Sequence, residues 1–454
     1  MRNSFPIVAR ILAAAVCVTL VAARPALCQG TNPRRPSGGL FGGGSFGSDS
    51  NERLNFTFEA AEGYDSQLPL EREVAIVGGD LSSGGFSTVF GGTASFGQGG
   101  RRFQFGASAS TAFKYYQQLN RLDALSHGAG FGIGVGLPNR GRFEINEALA
   151  YSPSYLYQLF PQGDPPALGE SIPLNPDYRI DQAGSYSSTT RAALEYGSSR
   201  ETLFTTSAEY RVTEYQDETT VLSGVETRSV GASVSHAMSR SFSFSGGYNY
   251  RTGTVGLTGP SYEHETPIRV QYSRALSPTR RLSIRVNVSP AWSKIAPSDL
   301  VVATDEPVRD QFFRMNGGAS VSYPFKLNWN THATYSRSIQ YVMGLTEPLL
   351  SDSIGVGLRG LISRRIELTA AGGYASAMSA PSGSRQQLDT YTAGARITYA
   401  FRRSMAVYSE YLYYYYDQAG VLRLAPGLPR VFEQHGVRVG FSLFAEALGR
   451  RRGI

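Results

Sequence analysis

The chain predicts an all-β fold, a transmembrane antiparallel up-and-down β-barrel of about eighteen strands, within a range of sixteen to eighteen. Three observations lead there. Apolar and polar residues alternate with a period of two through most of the sequence. Short and long connections alternate between those segments, which is how a barrel distributes tight turns to one rim and longer loops to the other. From Arg53 onward there is no run of 18 apolar residues and no stretch with helical period, so strands must do the crossing.

Taken in order, residues 1–28 read as a secretory signal, with Arg2 and Arg10 ahead of an apolar run from Ile11 to Ala23 that is too short to span a bilayer as a helix. Cleavage fits after Ala23 or after Cys28. Cys17 and Cys28 are the only cysteines, so the mature chain has no disulfide framework and no thiolate metal cluster. Residues 29–52, rich in Gly, Ser and Arg, form a flexible lead. The barrel occupies 53–446, and 447–454 is a basic tail.

Turn signals divide the barrel into segments beginning near 53, 85, 102, 125, 142, 186, 201, 225, 241, 266, 281, 311, 327, 351, 365, 387, 404 and 431. In 280–292 Leu282, Ile284, Val286 and Val288 share one face, and Ser283, Arg285, Asn287 and Ser289 the other. Phe242, Phe244, Tyr248 and Tyr250 oppose Ser243, Ser245, Asn249 and Arg251 in the same way. One segment strains the pattern: FEINEALAY puts Glu147 on the lipid face unless a bulge resets the register. The short connections, such as GSSRE, AMSRS and ISRRI, each carry Arg or Lys; the long ones include 61–83, 157–184, 254–265, 296–309 and 417–430.

A closed barrel leaves no unpaired edge in lipid, and its strands can be greasy outside and polar inside. A soluble sandwich of the same strands would need those small polar faces to make a hydrated core. The tyrosine-rich stretch SEYLYYYYDQ fits the barrel: Tyr411, Tyr413 and Tyr415 fall with Val407 on the lipid face and form part of an aromatic girdle. Tyr408, Tyr414 and Tyr416 fall with Glu410 on the lumen face, where they either pack against neighbours or offer a stacking surface to sugars.

Alternation lines the lumen with Gly, Ser, Thr and Asn and places charges at Glu59, Lys114, Glu144, Arg191, Glu195, Glu209, Arg211, Arg251, Arg269, Arg285, Arg314, Arg359, Glu367, Arg396, Glu410 and Arg438. Cations outnumber anions there, so the wall is mildly positive; the charges either tie the wall together as ion pairs or set selectivity. A barrel of this size with small inward side chains encloses water.

The last strand, GVRVGFSLF, alternates Val437, Val439, Phe441 and Leu443 against Arg438, Gly440 and Ser442 and carries an aromatic at Phe444. On this segment and on the long-short rhythm, residues 53–446 resemble Gram-negative outer-membrane β-barrels of the porin-like kind. The resemblance implies outer-membrane location with both termini periplasmic, contact with lipid and lipopolysaccharide, and insertion by the barrel-assembly machinery. It also implies passive conduction of small polar solutes or oligosaccharides. By the same resemblance, the long connection 158–185 would fold inward and set Asp164, Glu170, Asp177 and Asp181 against wall arginines; the alternative for that connection is an ordinary surface loop. The alternative is a structural or surface-binding barrel with a blocked lumen, linked to polysaccharide export.

Nothing points to an enzyme or to a cofactor. Only His127, His236, His264, His332 and His435 could serve as bases, and His332 falls on the lumen face as a wall residue. EHE at 263–265 could bind a metal from a mobile loop, but two carboxylates flanking one His in adjacent positions make a weak metal motif, so no metal is assigned. The basic residues are dispersed among turns and lumen rather than gathered on one face, which argues against nucleic acid.

Overall fold

The computed structural model describes residues 53–67, 84–100, 102–117, 123–138, 140–152, 184–215, 224–255, 260–277, 280–295, 311–326, 328–341, 348–380, 387–418 and 431–449. They form one antiparallel sheet of nineteen hydrogen-bonded strands, closed because the first pairs with the last. The strands are β1 (Arg53–Asp65), β2 (Gly85–Gly99), β3 (Phe103–Tyr116), β4 (Asp123–Leu137), β5 (Gly141–Ser152), β6 (Ser185–Gly197) and β7 (Thr202–Tyr215). Next come β8 (Val225–Ala237), β9 (Phe242–Val255), β10 (Ser261–Glu265), β11 (Ile268–Ser277), β12 (Arg280–Ile295) and β13 (Gln311–Lys326). The wall is completed by β14 (Trp329–Gln340), β15 (Leu349–Leu361), β16 (Ile366–Ser379), β17 (Gln387–Arg402), β18 (Met405–Gln418) and β19 (Val431–Gly449).

The nineteen strands make eighteen crossings. β10 and β11 are two pieces of one crossing, flanked by β9 and β12 in a register that runs through the break without a shift. The break falls at Thr266 and Pro267, and a proline has no N–H to give a ladder. The chain stays extended there: Thr266 N–H donates to the Pro290 carbonyl at 3.0 Å, and Gly247 N–H to that of Pro267 at 3.0 Å.

Three boundaries differ from the sequence reading, the first being the end of β1 at Asp65, inside the expected connection 61–83. The tenth crossing begins at Ser261 instead of near 266, so most of the expected loop 254–265 belongs to the wall. β19 runs to Gly449, pairing Asn55 with Glu446 and Arg53 with Gly449, so the chain just past 446 is wall as well. A bulge between Leu54 and Asn55 absorbs the change of pattern at that end.

Tight turns join the crossings at one rim. In two of them a serine hydroxyl organises the turn: Ser199 Oγ accepts from the N–H of Thr202 at 2.9 Å, and Ser239 Oγ from that of Phe242 at 3.1 Å. In the ISRRI turn, Ser363 Oγ accepts from the N–H of Arg365 at 3.2 Å.

Phe56, Phe90, Phe131, Phe204, Val230, Val286, Val288, Phe313, Ile354, Val356, Ile397, Val407 and Val439 stand exposed on one face, spread around the whole ring. A continuous exposed apolar belt on a closed sheet is how β-barrels cross membranes. Glu147 does face this belt. No register shift occurs on either side of β5; instead Ser188 Oγ donates to its carboxylate at 2.6 Å and Thr190 Oγ1 donates to the other oxygen.

Candidate functional site: the lumen wall

The inner face of β4 consists largely of glycine: Gly128, Gly130, Gly132, Gly134 and Gly136 alternate with outward Ala129, Phe131, Ile133 and Val135. That stretch of wall carries no side chains into the lumen. Charges concentrate elsewhere, and all sixteen positions named from the sequence lie on the face opposite the apolar belt.

Most of the acids among them join networks. Across β17, β18, β19 and β1, Arg396 Nη2 donates to Glu59 Oε1 at 3.0 Å while its guanidinium lies 3.5 Å from the Tyr408 ring centre. Glu410 stands cross-strand from both Arg396 and Arg438. Gly63 makes room for Arg438, whose Cγ would stand 2.7 Å from a methyl placed there, and Gly440 lies under the Tyr408 ring. Arg359 Nε pairs with Glu367. Lys114 Nζ sits 2.6 Å from Asp65 Oδ2, both fully buried.

A second network spans β9, β10, β13 and the end of β14. Arg251 Nε lies 3.3 Å from Glu263 Oε2, and Asn316 Nδ2 donates to Glu263 Oε1 at 2.9 Å. Arg251 Nη1 also donates to the Ile339 carbonyl at 3.0 Å. Ser261 Oγ donates to the Tyr341 hydroxyl at 2.7 Å. The Tyr341 ring covers Gly253, where a Cβ would come within 2.6 Å of its edge. Ile339 near the end of β14 and Tyr341 just after it touch β9 and β10, so the chain at the end of β14 lies inside the ring, over the wall.

This inward segment is not the one expected. Asp164, Glu170, Asp177 and Asp181 lie outside the described residues. Asp65, Glu263, Glu265 and Tyr341 are lumen-side groups that the sequence reading missed, because it assigned Asp65, Glu263 and Glu265 to long connections. The extra acids narrow the positive excess. The period of two carried through YEHE would have shown Glu263 and Glu265 on the lumen side.

That alternation also disposes of EHE as a mobile metal-binding loop. Glu263 and Glu265 face inward, whereas His264 faces outward with its Nδ1 2.5 Å from the Tyr248 hydroxyl. Among the described residues there is no group of three potential metal ligands. His332 is on the lumen face as expected, its ring lying over Gly357.

Arg269 and Arg285 are lumen cations with no acid among their cross-strand partners. They lie near mid-height on β11 and β12, opposite Ser245, Asn287, Gln271 and Ser320, and both are exposed to the lumen. Among the described residues no carboxylate pairs with either.

At the long-loop rim, Tyr411, Tyr413 and Tyr415 face outward. The Tyr411 hydroxyl lies 2.8 Å from His435 Nδ1, Tyr413 O–H donates to Glu433 Oε1 at 3.2 Å, and the Tyr415 ring meets Tyr391 at 5.6 Å. Tyr414 and Tyr416 face inward but are buried, Tyr416 stacked on Phe432 at 5.6 Å. They pack against neighbours and offer no open platform to a sugar.

No family model matches the chain, and no curated protein matches it. Among solved structures, the chain is similar to Acinetobacter baumannii OccAB4, with a TM-score of 0.42 and 12% identity over 87% of this chain and 98% of that one. Similarity to Pseudomonas aeruginosa OccK2 (OpdF) gives a TM-score of 0.42 and 10% identity over 88% and 98%; for Pseudomonas aeruginosa OprD the values are 0.40 and 7% over 88% and 96%. At these values the similarity does not bear on function. The structure itself establishes an eighteen-crossing antiparallel barrel with an apolar exterior and a polar interior.

Proposed function

We propose that this barrel sits in a bacterial outer membrane with its tight turns and both ends on the periplasmic side, and that it conducts small polar solutes passively with a preference for anions. One observation carries the reading: Arg269 and Arg285 stand exposed on the inner wall without a carboxylate partner. An uncompensated guanidinium facing the interior of a membrane protein requires water around it, and two together in a wet passage attract anions. The bare glycine face of β4 leaves room for that water.

The inward chain at 339–341 favours a second reading, a structural or surface-binding barrel whose lumen is obstructed near one rim. Single-channel recording of the refolded mature chain in planar bilayers separates the two. The channel reading expects stable current with an anion-shifted reversal potential, and added oligosaccharides reveal whether larger solutes enter the same lumen and block it. A correctly inserted barrel that passes no current sinks the channel and leaves the structural reading.

A further inference from the structure

Among the described strands, the seam between β13 and β14 is incomplete toward the end of β14. The ladder between β13 and β14 ends at Gly317 and Arg337, leaving Gln311–Asn316 paired to β12 on one side and to nothing on the other. β14 meanwhile stays paired to β15 up to Gln340 and Leu349. The two sheet portions do not simply gape; they overlap. Alternation places Ile339 and Leu350 on the same face as outward Arg337 and Ile354, yet each is 2% exposed, packed with Phe312 from the inner face of β13. The outer face of the β14–β15 end therefore lies against the inner face of β13. Met378, Ala380 and Tyr341 complete this apolar layer, and Arg314 Nη2 ties it down by donating to the Ala380 carbonyl at 3.1 Å.

No ladder bond crosses the overlap, so apolar packing and a few side-chain hydrogen bonds hold it shut. Its membrane side opens beside Phe313 and Met315, which are exposed. Its lumen side ends on a polar step: Ser293, directly opposite Phe312, and Asn316 are 3% and 4% exposed, and Ser293 Oγ and Asn316 Oδ1 have no hydrogen-bond partner among the described residues. Arg251 pairs with Glu263, and the Asn316 amide already donates to both the Glu263 and the Glu265 carboxylates.

We propose that this overlap is a lateral port for a single-chain amphiphile with an uncharged, hydroxyl-bearing head. The aliphatic chain lies between the two sheet layers in place of the packed side chains and reaches the lipid past Phe313. The head hydroxyls meet the Asn316 carbonyl oxygen and the Ser293 hydroxyl, which otherwise stay buried and unsatisfied. An anionic head would meet Glu263 and Glu265 and is disfavoured. The port is independent of ion conduction, because it leads sideways from the lumen instead of through it.

The test uses the mature chain in lipid nanodiscs with an alkyl glucoside carrying a diazirine on its chain. Photolabelling is expected on Phe312, Ile339 or Leu350, competed by excess dodecyl glucoside. Since Cys17 and Cys28 both precede the barrel, a Phe312→Cys/Ile339→Cys pair forms an unambiguous disulfide across the overlap. Oxidised, it should suppress the labelling severalfold; reduction should restore it. Labelling of the wild-type chain confined to lipid-facing Trp292, Phe313 and Met315 overturns the port without recourse to any variant. Labelling of the overlap that survives the disulfide overturns it equally.

Discussion

Gly253 has no side chain, and the ring of Tyr341 lies where one would begin. That contact fixes the chain after β14 against the wall, so Gly253→Val should push the ring away and lower stability by about 1–3 kcal/mol. The midpoint of the gel shift between folded and heat-unfolded forms measures the loss, and a wider conductance should accompany it if 339–341 narrows the lumen. On the opposite wall, Glu59→Gln removes the charge partner of Arg396, whose guanidinium stays pinned over Tyr408. A loss of about 1–3 kcal/mol is expected, and a midpoint equal to wild type would show the network to be ornamental to stability. Much of this was legible residue by residue. Alternation alone put Arg396, Glu410 and Arg438 on one face, but which acid each cation meets depends on strands far apart in sequence, as Glu59 and Arg396 are.

β5 tests how far alternation governs a strand. The sequence assigns Glu147 to lipid, and the ladder keeps it there; hydroxyls of Ser188 and Thr190 on β6 take the place of water around the carboxylate. Replacing the charge while keeping an acceptor, Glu147→Gln, should therefore stabilise the barrel by about 1 kcal/mol, because a charged group on the lipid face is a net cost. A lower unfolding midpoint for the variant would mean that the carboxylate is a structural anchor. Element by element, the starts of most crossings were readable within a few residues because turn chemistry marks them, as with Ser199, Ser239 and Ser363. The tenth crossing was misplaced because Pro267 looks like a boundary and is instead a gap in an extended strand.

At the scale of the molecule, the unpaired guanidiniums of Arg269 and Arg285 set the expected ion preference. The double substitution Arg269→Gln/Arg285→Gln should move the reversal potential in a salt gradient toward zero, and raising ionic strength should weaken the wild-type preference in the same direction. A preference that survives both changes would place selectivity elsewhere in the lumen. The sequence by itself determined that the chain alternates, crosses about eighteen times, is apolar outside and polar inside, and carries its tyrosine cluster at a rim. These are local properties, set by the period-two geometry of an extended chain and by turn residues next to one another. Only the tertiary structure decided that β1 closes on β19, which charges neutralise each other, that β10 and β11 form one crossing, and that the ends of β14 and β15 slip inside β13. Each of those depends on surfaces brought together by closure of the ring, and no local pattern encodes which distant residues that closure will oppose.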